Sequence, residues 1–67
     1  MNMIEKVKAA DTIMWMGNSY VYVGYDDIER QHQFKLKGEY VWERLAASEI
    51  EQYYKSGTMK FYKMVEL

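Results

Sequence analysis

The side chains able to do chemistry are few: a single histidine, His32, a carboxylate cluster at Asp26, Asp27 and Glu29, and serines such as Ser48 and Ser56, with no cysteine in the chain. A lone imidazole without a thiolate or a second imidazole does not make a transition-metal site of ordinary composition. As a general base, His32 needs a nucleophile and an orienting group. Ser48 and Ser56 fit helix-cap and turn positions instead, so His32 is expected at the surface or a strand edge. The acidic cluster lacks the alternating oxygens and turn glycine of a calcium loop. It reads as a turn, because Asp side chains bond nearby backbone N–H groups. Gly17, Gly24, Gly38 and Gly57 stand apart and form no phosphate cradle. No catalytic residue, metal or cofactor is expected, and the chain reads as a non-enzyme.

Recognition chemistry is better represented. Seven tyrosines, two tryptophans, two phenylalanines and six methionines in 67 residues exceed what so short a chain can enclose. Some of them are therefore expected at an interface, where aromatic and methionine side chains are enriched. Trp15, Tyr20, Tyr22 and Trp42 are the candidate partner-binding residues, the partner being another protein or a second copy. The plainer reading puts Trp15, Trp42, Phe34 and Phe61 in the core with tyrosines at its boundary. A second candidate set is Lys35, Lys37, Lys60 and Tyr62, which would pair phosphate neutralisation with base stacking on nucleic acid. Ten acidic residues interspersed with nine basic ones, a net charge of −1, make this set the alternative. Its plain reading is a solvated lysine face that guards a strand edge.

A sequence pI near 5.7 gives no global attraction for nucleic acid or an anionic membrane. The first residues mix acid and base with apolar side chains, unlike a signal peptide or a spanning helix. The lack of cysteine fits a reducing compartment, so the expected location is cytoplasmic, with no membrane partner.

These side chains need elements to position them. Thr12 to Met16 and Ser19 to Tyr25 flank Gly17-Asn18. With that pair as a two-residue turn, Trp15 meets Tyr20 and Ile13 meets Tyr22 on one face, while Met14 meets Val21 and Thr12 meets Val23 on the other. Neither face is polar, so the hairpin is expected to curl into a barrel, lie under a helix or meet a partner. Gln31 to Lys37 alternates as a strand, Phe34 and Leu36 against Gln33, Lys35 and Lys37. Tyr40 to Leu45 reads as its return across a turn at Gly38. Residues 3–10 fit a helix with Asn2 as N-cap and Glu5 three residues on, or an opening strand from Ile4 to Lys8. The strand is preferred, since Ala9-Ala10-Asp11 then turns into the hairpin. A helix near residues 49–56 is expected from Ser48 as N-cap, Glu51 completing the box, Gly57 as its stop, and the stripe Ile50, Tyr53 and Tyr54. A last strand runs from Thr58 to Met64.

The expected fold is mainly β, a small α+β domain over residues 1–67 with four to five antiparallel strands and one short helix. The stretch Val7 to Ile13, then Gly17, then Tyr20-Val21-Tyr22-Val23 resembles the opening of SH3-like small barrels, with Ala10-Asp11 where that family has Gly-Asp. The resemblance implies a closed barrel and carries no site residues. A chain of this size also resembles small phage or mobile-element accessory proteins. That likeness implies a protein-binding module that binds and inhibits a host protein, in the host cytoplasm.

Overall fold

A computed structural model describes residues 2–67. Six antiparallel strands form one open sheet: β1 (Thr12–Trp15), β2 (Asn18–Asp26), β3 (Gln31–Leu36), β4 (Trp42–Leu45), β5 (Met59–Lys63) and the two-residue β6 (Val65–Glu66), in the order β4-β3-β2-β1-β5-β6. Helices α1 (Met3–Ala9) and α2 (Ala47–Lys55) pack against a core built from one face of that sheet. The expectation of a mainly β, small α+β fold agrees with this architecture, but the described residues form six strands, the last of only two residues, where four to five were expected, and two helices where one was expected. The expected barrel does not close. Its place is taken by a sheet with both helices on one side.

The opening segment is α1, not the preferred strand. Asn2 Oδ1 accepts the Glu5 backbone N–H at 2.9 Å, which satisfies one of the orphan donors of the first turn. As a strand, Ile4 to Lys8 would put Val7 on the same face as Glu5 and mix charge into the buried side. As a helix, it sends Val7 into the core and packs Met3 and Ala10 beside it.

The hairpin turn is Met16-Gly17, because Trp15 pairs with Asn18, Met14 with Ser19 and Ile13 with Tyr20. This register lies two residues from the one expected around Gly17-Asn18. A slip of two leaves every side chain on its original face, whereas a slip of one would invert them all. Both turn residues have positive φ, 51° at Met16 and 78° at Gly17, as a type I′ turn demands. Gly17 takes that conformation freely, but Met16 does so against the Cβ clash that disfavours left-handed L-residues.

In α2 the N-cap is Ala46, two residues before the expected Ser48, and the Glu49 carboxylate accepts the Ala46 N–H at 2.9 Å. The C-terminus ends as expected at Gly57, with φ 80°. There Thr58 N–H reaches Tyr53 C=O and Gly57 N–H reaches Tyr54 C=O, a Schellman arrangement. The stripe Ile50, Tyr53 and Tyr54 faces the core. Tyr54 stacks on Phe61 at 4.9 Å and Trp15 lies 5.4 Å from Tyr53. Phe34, Phe61, Ile13, Ile50, Met59 and Val7 are the fully buried side chains.

Candidate functional site

Period-two alternation divides the sheet into a covered and an uncovered face. Ile13, Trp15, Tyr20, Phe34, Leu45, Met59 and Phe61 point to the helices and are buried. The intervening residues Thr12, Met14, Ser19, Val21, Gln33, Lys35, Trp42, Arg44, Lys60 and Tyr62 point the other way. None of these ten is buried, and among the described residues both helices lie on the opposite side. Lys37 follows β3 in register, its N–H donating to Ser19 C=O and its ammonium to Thr12 Oγ1, so it too lies across the uncovered face.

The register brings Lys35, Lys37, Lys60 and Tyr62 together on this face with Trp42. Trp42 neighbours Lys35, Lys35 neighbours Val21, and Tyr62 neighbours Thr12. Lys60 neighbours Met14, whose sulfur accepts the Ser19 hydroxyl at 3.1 Å. The Lys35 ammonium stands 5.4 Å from the centre of the Tyr40 ring, within cation–π range. Arg44 and Gln33 extend the face and were not singled out from sequence. Trp42-Glu43-Arg44-Leu45 alternates, so an inward Leu45 was the signal that places Arg44 outward.

Charge is sorted as well. Four cations on the uncovered face, Lys35, Lys37, Lys60 and Arg44, face two carboxylates, Asp26 and Glu66. Arg44 lies 4.0 Å from the half-buried Asp26 and Lys60 4.0 Å from the exposed Glu66, both at the outer limit of an ion pair and with the cation in solvent, so each partner is held weakly. The other acids sit on the helices at Glu5, Glu49 and Glu51, in loops at Asp11, Asp27, Glu29 and Glu39, or on the covered side at Glu43. A near-neutral chain thus carries a basic face.

The aromatic set chosen as a protein-binding surface is split. Trp15 and Tyr20 are only 8% and 6% exposed and belong to the core, which corrects their assignment to a surface. Tyr22 is half-buried on the covered face, edge-on to Phe34. Trp42 alone of the four is exposed, at 52%, and this in turn corrects its placement in the core.

His32 is also corrected. It is 4% exposed on the covered side of β3, its Nδ1 sharing a 2.9 Å hydrogen bond with the Tyr22 hydroxyl, the donor being set by the imidazole tautomer. A bulge at Val23, between Tyr22 and Gly24, shifts β2 by one residue and turns Tyr25 onto the same side, 4.7 Å from the imidazole. Burial, then the positive charge of Lys8, lowers the His32 pKa from its ordinary value. Burial raises the pKa of Tyr22, with Tyr25 adding to it, and of Tyr20, with Glu43 adding to it. The cluster is a core hydrogen-bonded pair in which burial disfavours the charged imidazole.

Asp26 acts as expected of a turn residue, its Oδ1 accepting from Ile28 N–H at 2.9 Å and Glu29 N–H at 3.2 Å. Among the described residues, no three His, Asp or Glu side chains come together as metal ligands, and no helix is long and apolar enough to cross a membrane. Comparisons with family models, curated proteins and solved structures find no match.

Proposed function

We propose that this protein is a non-enzymatic binding module that holds nucleic acid on the uncovered face of its sheet. One observation carries the reading: Lys35, Lys37, Lys60 and Arg44 share that face with Trp42 and Tyr62, while eight of the ten carboxylates lie elsewhere. Phosphate binding needs a local excess of positive charge, and base recognition needs accessible aromatic faces. The overall charge of −1 argued against this function only while the charges were unplaced. Fluorescence anisotropy with labelled mixed-sequence oligonucleotides tests it. Affinity should fall steeply as salt rises, with a log–log slope of about −2 to −3 for three to four phosphate contacts to a single strand. The double variant Lys35→Glu, Lys60→Glu should lose binding while keeping its fold. Binding that ignores both salt and these charges would remove the proposal.

The second reading is a protein-binding module, and it is favoured by the free edge of the sheet. Strand β4 is terminal, and Trp42 at its start, like Tyr40 and Val41 just before it, is exposed. An extended peptide can add to such an edge through main-chain hydrogen bonds. Salt-resistant capture of a protein, lost on replacing Trp42, would favour it.

A further inference from the structure

The strand register orders the uncovered face into rungs that cross the sheet. The first runs Trp42, Lys35, Val21, Thr12 and Tyr62, since Trp42 pairs with Lys35, Lys35 with Val21, and Thr12 with Tyr62. Val21 and Thr12 fall opposite one another by continuing the β1–β2 register one step beyond Ile13 and Tyr20. The second rung runs Lys37, Ser19, Met14 and Lys60. Each rung lies two residues from the next, about 7 Å along the strands. Aromatic rings therefore stand at the two ends of one rung, four strand spacings or about 19 Å apart. Lys35 lies between them, and Lys37 and Lys60 run alongside.

On the reading that this face binds nucleic acid, we infer that its ligand is a single strand lying across the β-strands, with one base stacked on Trp42 and another on Tyr62 and the intervening phosphates on Lys35, Lys37 and Lys60. A duplex keeps its base faces stacked inside, so it can offer neither ring a partner. A single strand has free base faces, and aromatic stacking is tolerant of sequence. A stacked strand advances about 3.4 Å per nucleotide, so about 19 Å spans at most about six nucleotides, and fewer where bases are pulled apart. The strand's sugar is left open, because the lysines address phosphate, which DNA and RNA share.

The test is a length series of oligo-dU and oligo-rU from two to about twelve nucleotides, beside a GC-rich duplex long enough to stay paired, at fixed low salt. Anisotropy reports affinity. Trp42 emission reports stacking at one end, because Trp15, the other tryptophan, is buried in the core and supplies a constant background. Affinity should climb to about six nucleotides and then level off, with Trp42 emission quenched and duplexes bound weakly. Tyr62→Ala should weaken six-nucleotide binding about tenfold and leave the shortest oligomers almost unaffected, while Tyr62→Phe retains the ring and the affinity. Circular dichroism confirms that each variant is folded. Equal affinity for duplex, binding independent of length, or unchanged Trp42 emission in a bound complex would each overturn the single-strand geometry and leave the binding reading intact. If no nucleic acid binds at any length, the binding reading itself fails. A dU-versus-rU difference, in which only the 2′-hydroxyl changes, shows which sugar is preferred, and tight binding of either one supports the inference.

Discussion

The two faces of this sheet are built from the same strands and similar residue types, yet one is packed beneath two helices and the other is not. On the covered face, aromatic rings are locked by neighbours: Trp15 by Tyr20 and Tyr53, Phe61 by Tyr54, Tyr22 by Phe34 and His32. On the uncovered face, Trp42 and Tyr62 are flanked by lysines and serve no core. Met14 and Val21 lie between them, half-exposed, where lysine stems can shelter their apolar surface while the ammonium groups stay in water. Aromatic content by itself therefore does not mark an interface. On the proposed reading, the mark of an interface is an aromatic ring next to a cation with no helix above it.

The sharpest way to break the contrast is to truncate one ring on each face. Phe34→Ala or Phe61→Ala should cost about 3–5 kcal/mol and leave so small a domain largely unfolded, whereas Tyr62→Ala should shift stability by about 1 kcal/mol or less. Urea denaturation followed by circular dichroism measures both, and equal losses would mean that the second face is core as well. Charge gives the next largest effect. Lys35→Ala and Lys60→Ala should each reduce the salt slope of binding by about 0.7, with stability unchanged to about 0.5 kcal/mol.

A third effect belongs to the covered face alone. His32 has a folded pKa below its unfolded value, so the unfolded chain binds the proton more readily. Stability from this group is complete above the unfolded value near 6.5 and is lost as pH falls from there toward the folded pKa. Lys8 on α1, already positive, repels the protonated ring, while Tyr22 and Tyr25 pack beside it. Urea midpoints of the wild type should thus fall between about pH 7 and pH 5, and a folded His32→Gln variant should lose that slope. A flat wild-type profile would place His32 in solvent. The smallest effect concerns neither face. Met16→Asn relieves a left-handed backbone in an exposed turn and should raise stability by about 0.5–1 kcal/mol with binding unchanged.

Much of the local structure was legible in the residues. Strand β3, the Asp26 turn and the Gly57 stop follow from alternation, side-chain acceptors and a left-handed C′ position, which depend only on near neighbours. The hairpin register slipped by two because Gly17-Asn18 and Met16-Gly17 are both glycine-containing turns, yet the faces survived since two is the period of a strand. The start of the chain was misread as a strand because α1 is only seven residues long, too short for periodicity to outweigh its alternatives.

Alone, the sequence determined which residues alternate, that the chain turns at Asp26 and stops a helix at Gly57, and that Lys35 and Lys37 share one side of a strand. Only the tertiary structure decided that the sheet stays open, that both helices cover the same face, and that Lys60, Tyr62 and Trp42 join those lysines on the other. The physical reason is that a strand's own pattern shows that its two faces differ but not what lies over either. Trp15 and Trp42 look alike in sequence; Trp15 lies against Tyr53 of α2 and Trp42 faces solvent because the strand register points them to opposite faces of the sheet, and only one face carries the helices.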